Sequence, residues 1–339
     1  MSDAPAYLLS DTSRTRLLVI DSGVGGLAYT DYLMRIRDAF TICYVADTAG
    51  FPYGEKRADW LEEHLVELVG EALVVFPPDL VLIACNTASV TALDRLRQAY
   101  SIPFIGTVPA VKPAARWTKT GVIGLLATSA TVRDDYLDRL VQEFAASFRV
   151  IRSGASELVR QIEGGFPELS EGAEVSGLIR KELEQFKDEG ADVVVLGCTH
   201  FLHILPAMRR VLEELGGGVT LVDSRDGVAR RVLDLARRHQ LPTVTGFGKA
   251  LVKPGRTRGA RRTAPGGVRG FRGALMTTCF RNASPASRPE EYRQIAASFR
   301  LGYRGVLSLP GRAPEGASGD AVRSGADPRE ERPLEGAGD

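Results

Sequence analysis

The chain has 339 residues, 44% of them hydrophobic and 25% charged, with a formal net charge of +1, which is the composition of a soluble globular protein long enough for about two domains. Four cysteines in so long a chain make no disulfide framework, and no apolar run approaches the roughly 20 residues of a membrane span. The opening "MSDAPAYLLSDTSRTR" has no apolar core of a signal peptide, so the expected compartment is the cytoplasm with reduced thiols.

In chain order, residues 1–13 are expected to be flexible. Strands are then expected at "RLLVID" (16–21), "FTICYVAD" (40–47), "DLVLIAC" (79–85), "IPFIGT" (102–107), "GVIGLLAT" (121–128), "ADVVVLGC" (191–198) and "VTLVD" (219–223). Their runs of Val, Ile and Leu are continuous and do not alternate, as suits a parallel sheet covered on both faces. Amphipathic stretches such as "DWLEEHLVELVGEAL" and "ELSEGAEVSGLIRKELEQFKDEG" lie between them, giving a βαβ alternation.

The C-terminal part changes character. Residues 1–246 hold 26 Lys and Arg against 33 Asp and Glu, a balance of −7, so the remainder of the chain is +8. Much of the excess sits in "FGKALVKPGRTRGARRTAPGGVRGFRG" (247–273), with eight basic residues and no acid. It reads as a disordered insertion, either a solvated loop or a contact for nucleic acid or another partner. Beyond it, "MTTCF" is followed by a one-faced helix at "PEEYRQIAASF" (289–299) and a strand at "GVLSLP". Residues 311–339 return to a disordered composition.

Two segments repeat a pattern. "DLVLIAC" runs into Asn86 and Thr87, and "DVVVLGC" runs into Thr199 and His200. "LLVIDSG" is echoed by "TLVDSRDG". Two pseudosymmetric α/β domains with doubly wound, mostly parallel sheets and an active site in the cleft between them explain the repetition. The expected division is 14–106 with 221–246 and 274–310 in the first domain and 107–220 in the second. Ligands of open sheets collect outside the carboxyl ends of strands, where Asp21, Cys85, Thr128 and Cys198 would lie.

A cysteine between a strand and a helix faces unpaired N–H groups that favour thiolate, so Cys85 and Cys198 are candidate acid/base groups. A packing role would give no reason for repeating the polar flank. Zinc held by Cys85, Cys198 and His200 is one rival, and a single nucleophilic Cys–His pair another. Cys43 and Cys279 lack the flank and read as packing residues. The glycines of "DSGVGGL" (21–27) let a turn approach a ligand and offer N–H groups to a carboxylate. "DTAGFPYGEK" (47–56) adds a Pro52-Tyr53-Gly54 turn to the same cleft. Inverting a carbon that bears a proton needs a base on one face and an acid on the other, a demand that two like residues on related domains meet.

In this order, "DSGVGGL", "DTAGFPYGEK", "ACNTAS", "IGTVPAVKPAA" with "GLLATSATV", and "GCTH" resemble glutamate racemases of the aspartate/glutamate racemase superfamily. The resemblance implies an isomerase without cofactor or metal that interconverts L- and D-glutamate and supplies D-glutamate for peptidoglycan, and a homodimer. It implies Cys85 as the base toward D-glutamate and Cys198 toward L-glutamate, assisted by Asp21 and by His200 with Glu163 respectively. Ser22, Pro52, Tyr53, Gly54, Asn86, Thr87, Thr128 and Thr199, with Asp21 and His200, would hold the substrate. Gly50 stands where the family commonly has Arg, Phe201 and Leu202 replace a frequent Tyr and Pro, and "ASE" (155–157) replaces a common "CPE". Another isomerase or a decarboxylase of the superfamily could share this scaffold.

Overall fold

The computed structural model describes residues 15–36, 40–166, 172–239, 275–280, 294 and 302–308. The expected N-terminal arm, the basic insertion, the helix at 289–299 and the C-terminal tail lie outside the described residues, residue 294 excepted.

Two parallel sheets form the frame. The first contains β1 (Thr15–Asp21), β2 (Phe40–Ala46), β3 (Leu80–Ile83), β4 (Phe104–Gly106), β9 (Leu275–Phe280) and β10 (Gly302–Ser308), in the order β10-β9-β2-β1-β3-β4. The second contains β5 (Val122–Ala127), β6 (Arg149–Gly154), β7 (Val193–Leu196) and β8 (Thr220–Val222), in the order β6-β5-β7-β8. The order β2-β1-β3-β4 is thus repeated as β6-β5-β7-β8, and two related α/β halves are present as expected.

The backbone ladders fix the correspondence. Ala84 N–H donates to Ile20 O and Gly197 N–H to Leu126 O, while Asp47 N–H donates to Asp21 O and Ala155 N–H to Ala127 O. Cys85 therefore matches Cys198, Ser22 matches Thr128, and Asp47 matches Ala155. The sequence echo of "LLVIDSG" in "TLVDSRDG" is not a structural match. Strand β8 corresponds to β4, and Ser224 bonds the Tyr29 hydroxyl at 2.7 Å instead of entering the cleft. Strand β8 also straddles the expected domain boundary at 220/221.

Burial on both faces explains the unbroken apolar runs. Leu17 and Val19 point into a core that also contains Val194, Leu196 and Ile162 of the second half, whereas Leu18 and Ile20 face the helices Ala58–Val75 and Asn86–Ala99. All four strand residues are fully buried, each worth about 1.5–3 kcal/mol of transfer free energy. Strand β6 carries no such signal in the sequence because it is an edge strand: Arg149 and Gly154 are exposed and only Ile151 is buried, so its apolar run is interrupted. No helix of the described residues is long and apolar enough to cross a membrane.

Candidate active site

Three of the candidate side chains sit where a strand gives way to a helical turn. Cys85 precedes the helix Asn86–Ala99, Thr128 the short helix Ser129–Val132, and Cys198 the 3-10 turn Thr199–Ile204. A single cavity between the halves is lined by Ser22, Pro52, Tyr53, Gly54, Cys85, Asn86, Thr87, Thr128, Cys198 and His200. Asp21, Thr199 and Glu163 stand behind this wall. Phe51, Glu55, Ser156 and Val159 also line it, beyond the residues that the sequence singles out. Phe51 and Glu55 flank the Pro52-Tyr53-Gly54 turn and could be found from it; Val159 carries no chemical signal.

Around Cys198 the side chains form a relay. His200 Nδ1 lies 3.7 Å from Cys198 Sγ, and its Nε2 lies 2.9 Å from Glu163 Oε2. The same Glu163 oxygen accepts the Val24 N–H at 2.9 Å. Burial opposes a charged imidazole, but the hydrogen bonds and charges of Cys198 and Glu163 outweigh it and raise the His200 pKa well above the ordinary value. Glu163 Oε1 is buried without a partner.

Around Cys85 the surroundings differ. Burial, then the Asp21 charge, push its thiol well above the ordinary range; Cys198 adds to the shift, while the Ala88 N–H and the Ser22 hydroxyl oppose it. The expected lowering by the helix N-terminus is thus overridden, because loss of water costs a thiolate more than one N–H returns. Asp21 accepts from Gly23 N–H at 3.0 Å and from Thr199 Oγ1 at 3.0 Å, and burial still pushes its carboxyl up to about 6.

The glycines of "DSGVGGL" have a further steric reason, beyond the expected approach to a ligand. A Cβ on Gly23 would lie 2.3 Å from Glu163 Oε2, and one on Gly25 would lie 2.3 Å from Thr199 Oγ1 and 2.7 Å from His200 Nδ1. The turn packs directly against the other half's catalytic candidates. Cys43 is buried with its thiol pushed up to about 12 by burial, in keeping with a packing residue; the Cys279 side chain is outside the described residues. Among the described residues, no group of three or more His, Cys, Asp or Glu side chains is placed to hold a metal ion.

Two matched parallel sheets that deliver a pair of cysteines and their polar neighbours to one cavity define the class, an α/β isomerase. The family described as Asp/Glu/Hydantoin racemase matches residues 26–232. The glutamate racemase of Photorhabdus laumondii is 39% identical over 234 residues, covering 68% of this chain and 79% of that protein, and that of Sphingopyxis alaskensis is 40% identical over 242 residues, covering 69% and 87%. Among solved structures, Escherichia coli glutamate racemase in complex with L-glutamate and the activator UDP-MurNAc-ala superposes with a TM-score of 0.69 at 29% identity, over 88% of this chain and 100% of that one. The chain belongs to the Asp/Glu/hydantoin racemase family.

Proposed function

We propose that this protein is a glutamate racemase that works by two-base proton transfer between Cys85 and Cys198. The observation that carries the reading is that both cysteines, from matched positions in the two halves, line one cavity. The curated relatives of about 40% identity are glutamate racemases, which supports glutamate over other substrates of the superfamily.

One sulfur, as thiolate, takes the α-proton from one face of glutamate. The C–H electrons stay on the α-carbon, which then takes a proton from the other sulfur on the opposite face. The raised Cys85 pKa makes it the donor at rest; the resemblance assigns L-glutamate to Cys198, with the His200–Glu163 pair beside it supporting that role. In the reverse direction Asp21 assists removal of the Cys85 proton. Ser22, Asn86, Thr87, Thr128 and the Pro52-Tyr53-Gly54 turn hold the carboxylates and the ammonium group, with Thr199 behind them bound to Asp21, without pyridoxal phosphate. A cytoplasmic homodimer that supplies D-glutamate for peptidoglycan completes the reading.

The test is the decay of optical rotation from L-glutamate with no added cofactor, run in deuterated water. Deuterium should enter the α-carbon from either enantiomer, and Cys85→Ala or Cys198→Ala should abolish racemisation. Full turnover by both variants would sink the two-base mechanism, and inactivity of the wild type on glutamate would sink the substrate assignment.

A further inference from the structure

Apart from the cysteine relay, the first half buries a second polar network that the proton transfer does not use. Asp47 and His64 are fully buried and Tyr53 nearly so. Asp47 Oδ2 accepts the Tyr53 hydroxyl at 2.6 Å and also bonds His64 Nε2; Oδ1 lies 3.3 Å from the Gly50 N–H. The Trp60 ring stacks on His64 at 4.5 Å and 10°, and the Tyr53 ring meets it edge-on at 6.1 Å.

Three features argue against a role in core stability alone. Burying a carboxylate is costly unless its bonds are made, and the matching position of the second half is Ala155, so the fold does not require an acid there. His64 Nδ1 is buried with no partner, so the bond to Asp47 is the polar return for placing a histidine in this core. Gly50 leaves room for the network: a Cβ there would lie 2.4 Å from Asp47 Oδ2, 2.7 Å from the Tyr53 ring and 3.1 Å from His64 Nε2. A side chain at position 50 would therefore displace Asp47, Tyr53 or His64 from one another.

The network ends on a wall of the cavity. Tyr53 lines it between Pro52 and Gly54, and Gly54 lies so close to Thr128 of the other half that a Cβ would stand 3.1 Å from the Thr128 Cβ. We infer that His64 is a positioning residue for the racemase reaction proposed above: through Asp47 it holds the Tyr53 hydroxyl and so sets the Pro52-Tyr53-Gly54 turn against the substrate. The inference rests on that reading of the site. It places a determinant of substrate affinity on the helix Ala58–Val75, outside the cleft.

The experiment compares His64→Gln with His64→Asn. The Gln amide reaches where Nε2 stands and can still donate to Asp47, whereas the Asn amide reaches only as far as Nδ1. Both variants are polar and similar in their burden on folding. His64→Gln should keep the wild-type KM for glutamate within about threefold, and His64→Asn should raise KM about tenfold with a smaller change in kcat, as loss of one hydrogen bond to a charged group predicts. Tyr53→Phe should raise KM alike, and the His64→Asn/Tyr53→Phe double variant should be no worse than the poorer single one, because both cut one chain of bonds. Equal KM values for Gln, Asn and wild type, or additive effects in the double variant, would overturn the inference. A wild type that fails to racemise glutamate would instead overturn the function on which it rests.

Discussion

Thr199 Oγ1 donates to Asp21 Oδ2 at 3.0 Å, so the residue after one cysteine holds the carboxylate proposed to act on the other. Asp21 thereby links Thr199 of the second half to the Cys85 thiol of the first, whose pKa its charge raises. Thr199→Val removes that donor from a buried carboxyl. Its pKa should rise above the present value of about 6, and the acid limb of kcat from D-glutamate should move to higher pH by about one unit. A pH–rate profile identical to that of the wild type would show that Asp21 does not assist Cys85.

Two buried groups tilt stability against pH in opposite directions. Burial raises Asp21 from 3.8 to about 6, so its favourable contribution is complete below about pH 4 and is lost as pH rises through 6. For His203, burial and then the His200 charge lower the value from 6.5 to about 4, so its contribution is complete above 6.5 and is lost as pH falls toward 4. Each shift is worth about 3 kcal/mol. Between pH 4 and 6, chemical denaturation should show Asp21→Asn gaining stability relative to wild type as pH rises, and His203→Leu gaining it as pH falls. Parallel curves for all three proteins would contradict both assignments.

His203 also holds the glycine turn. Its Nε2 lies 2.9 Å from Val24 O, while the Val24 N–H donates to Glu163 at 2.9 Å, so one residue of the first half is gripped on both sides by the second. Glu163→Gln keeps the length of the side chain but removes the charge that favours the His200 imidazolium. A fall in kcat of about 10–100-fold is expected, with a larger primary isotope effect when L-glutamate is the substrate, since the Cys198 side is the one impaired. Equal isotope effects from both enantiomers would count against the relay.

Glycines of the same turn should be intolerant for a steric reason. Gly25→Ala forces Thr199 and His200 from positions 2.3 and 2.7 Å away and should lower kcat at least 100-fold. Gly177, within the helix Ala173–Asp188, has nothing within 4 Å of the place an alanine methyl would occupy. Gly177→Ala should raise stability by about 0.5–1 kcal/mol and leave kcat unchanged, as thermal unfolding and the racemisation assay would show.

The architecture is legible in the chain because its signals are local. Strands buried on both faces need unbroken apolar runs, and two such runs ending in Cys with a polar flank are visible as the repeat "DLVLIAC" and "DVVVLGC". The edge strand Arg149–Gly154, with one buried residue, gives no such signal. The echo at Asp223 and Ser224 misleads because a short strand followed by Asp-Ser looks the same in sequence wherever the sheet places it.

What the tertiary structure alone decided is which groups face each other and how much water they lose. Asp47 meets His64 17 positions later, Val24 meets Glu163 139 positions later, and Asp21 meets Thr199 across 178; no local pattern encodes such pairings. The state of Cys85 belongs to the same class. Its place before a helix, read from sequence, points to a thiolate, but the folded chain removes the solvent that would stabilise the charge, and burial prevails.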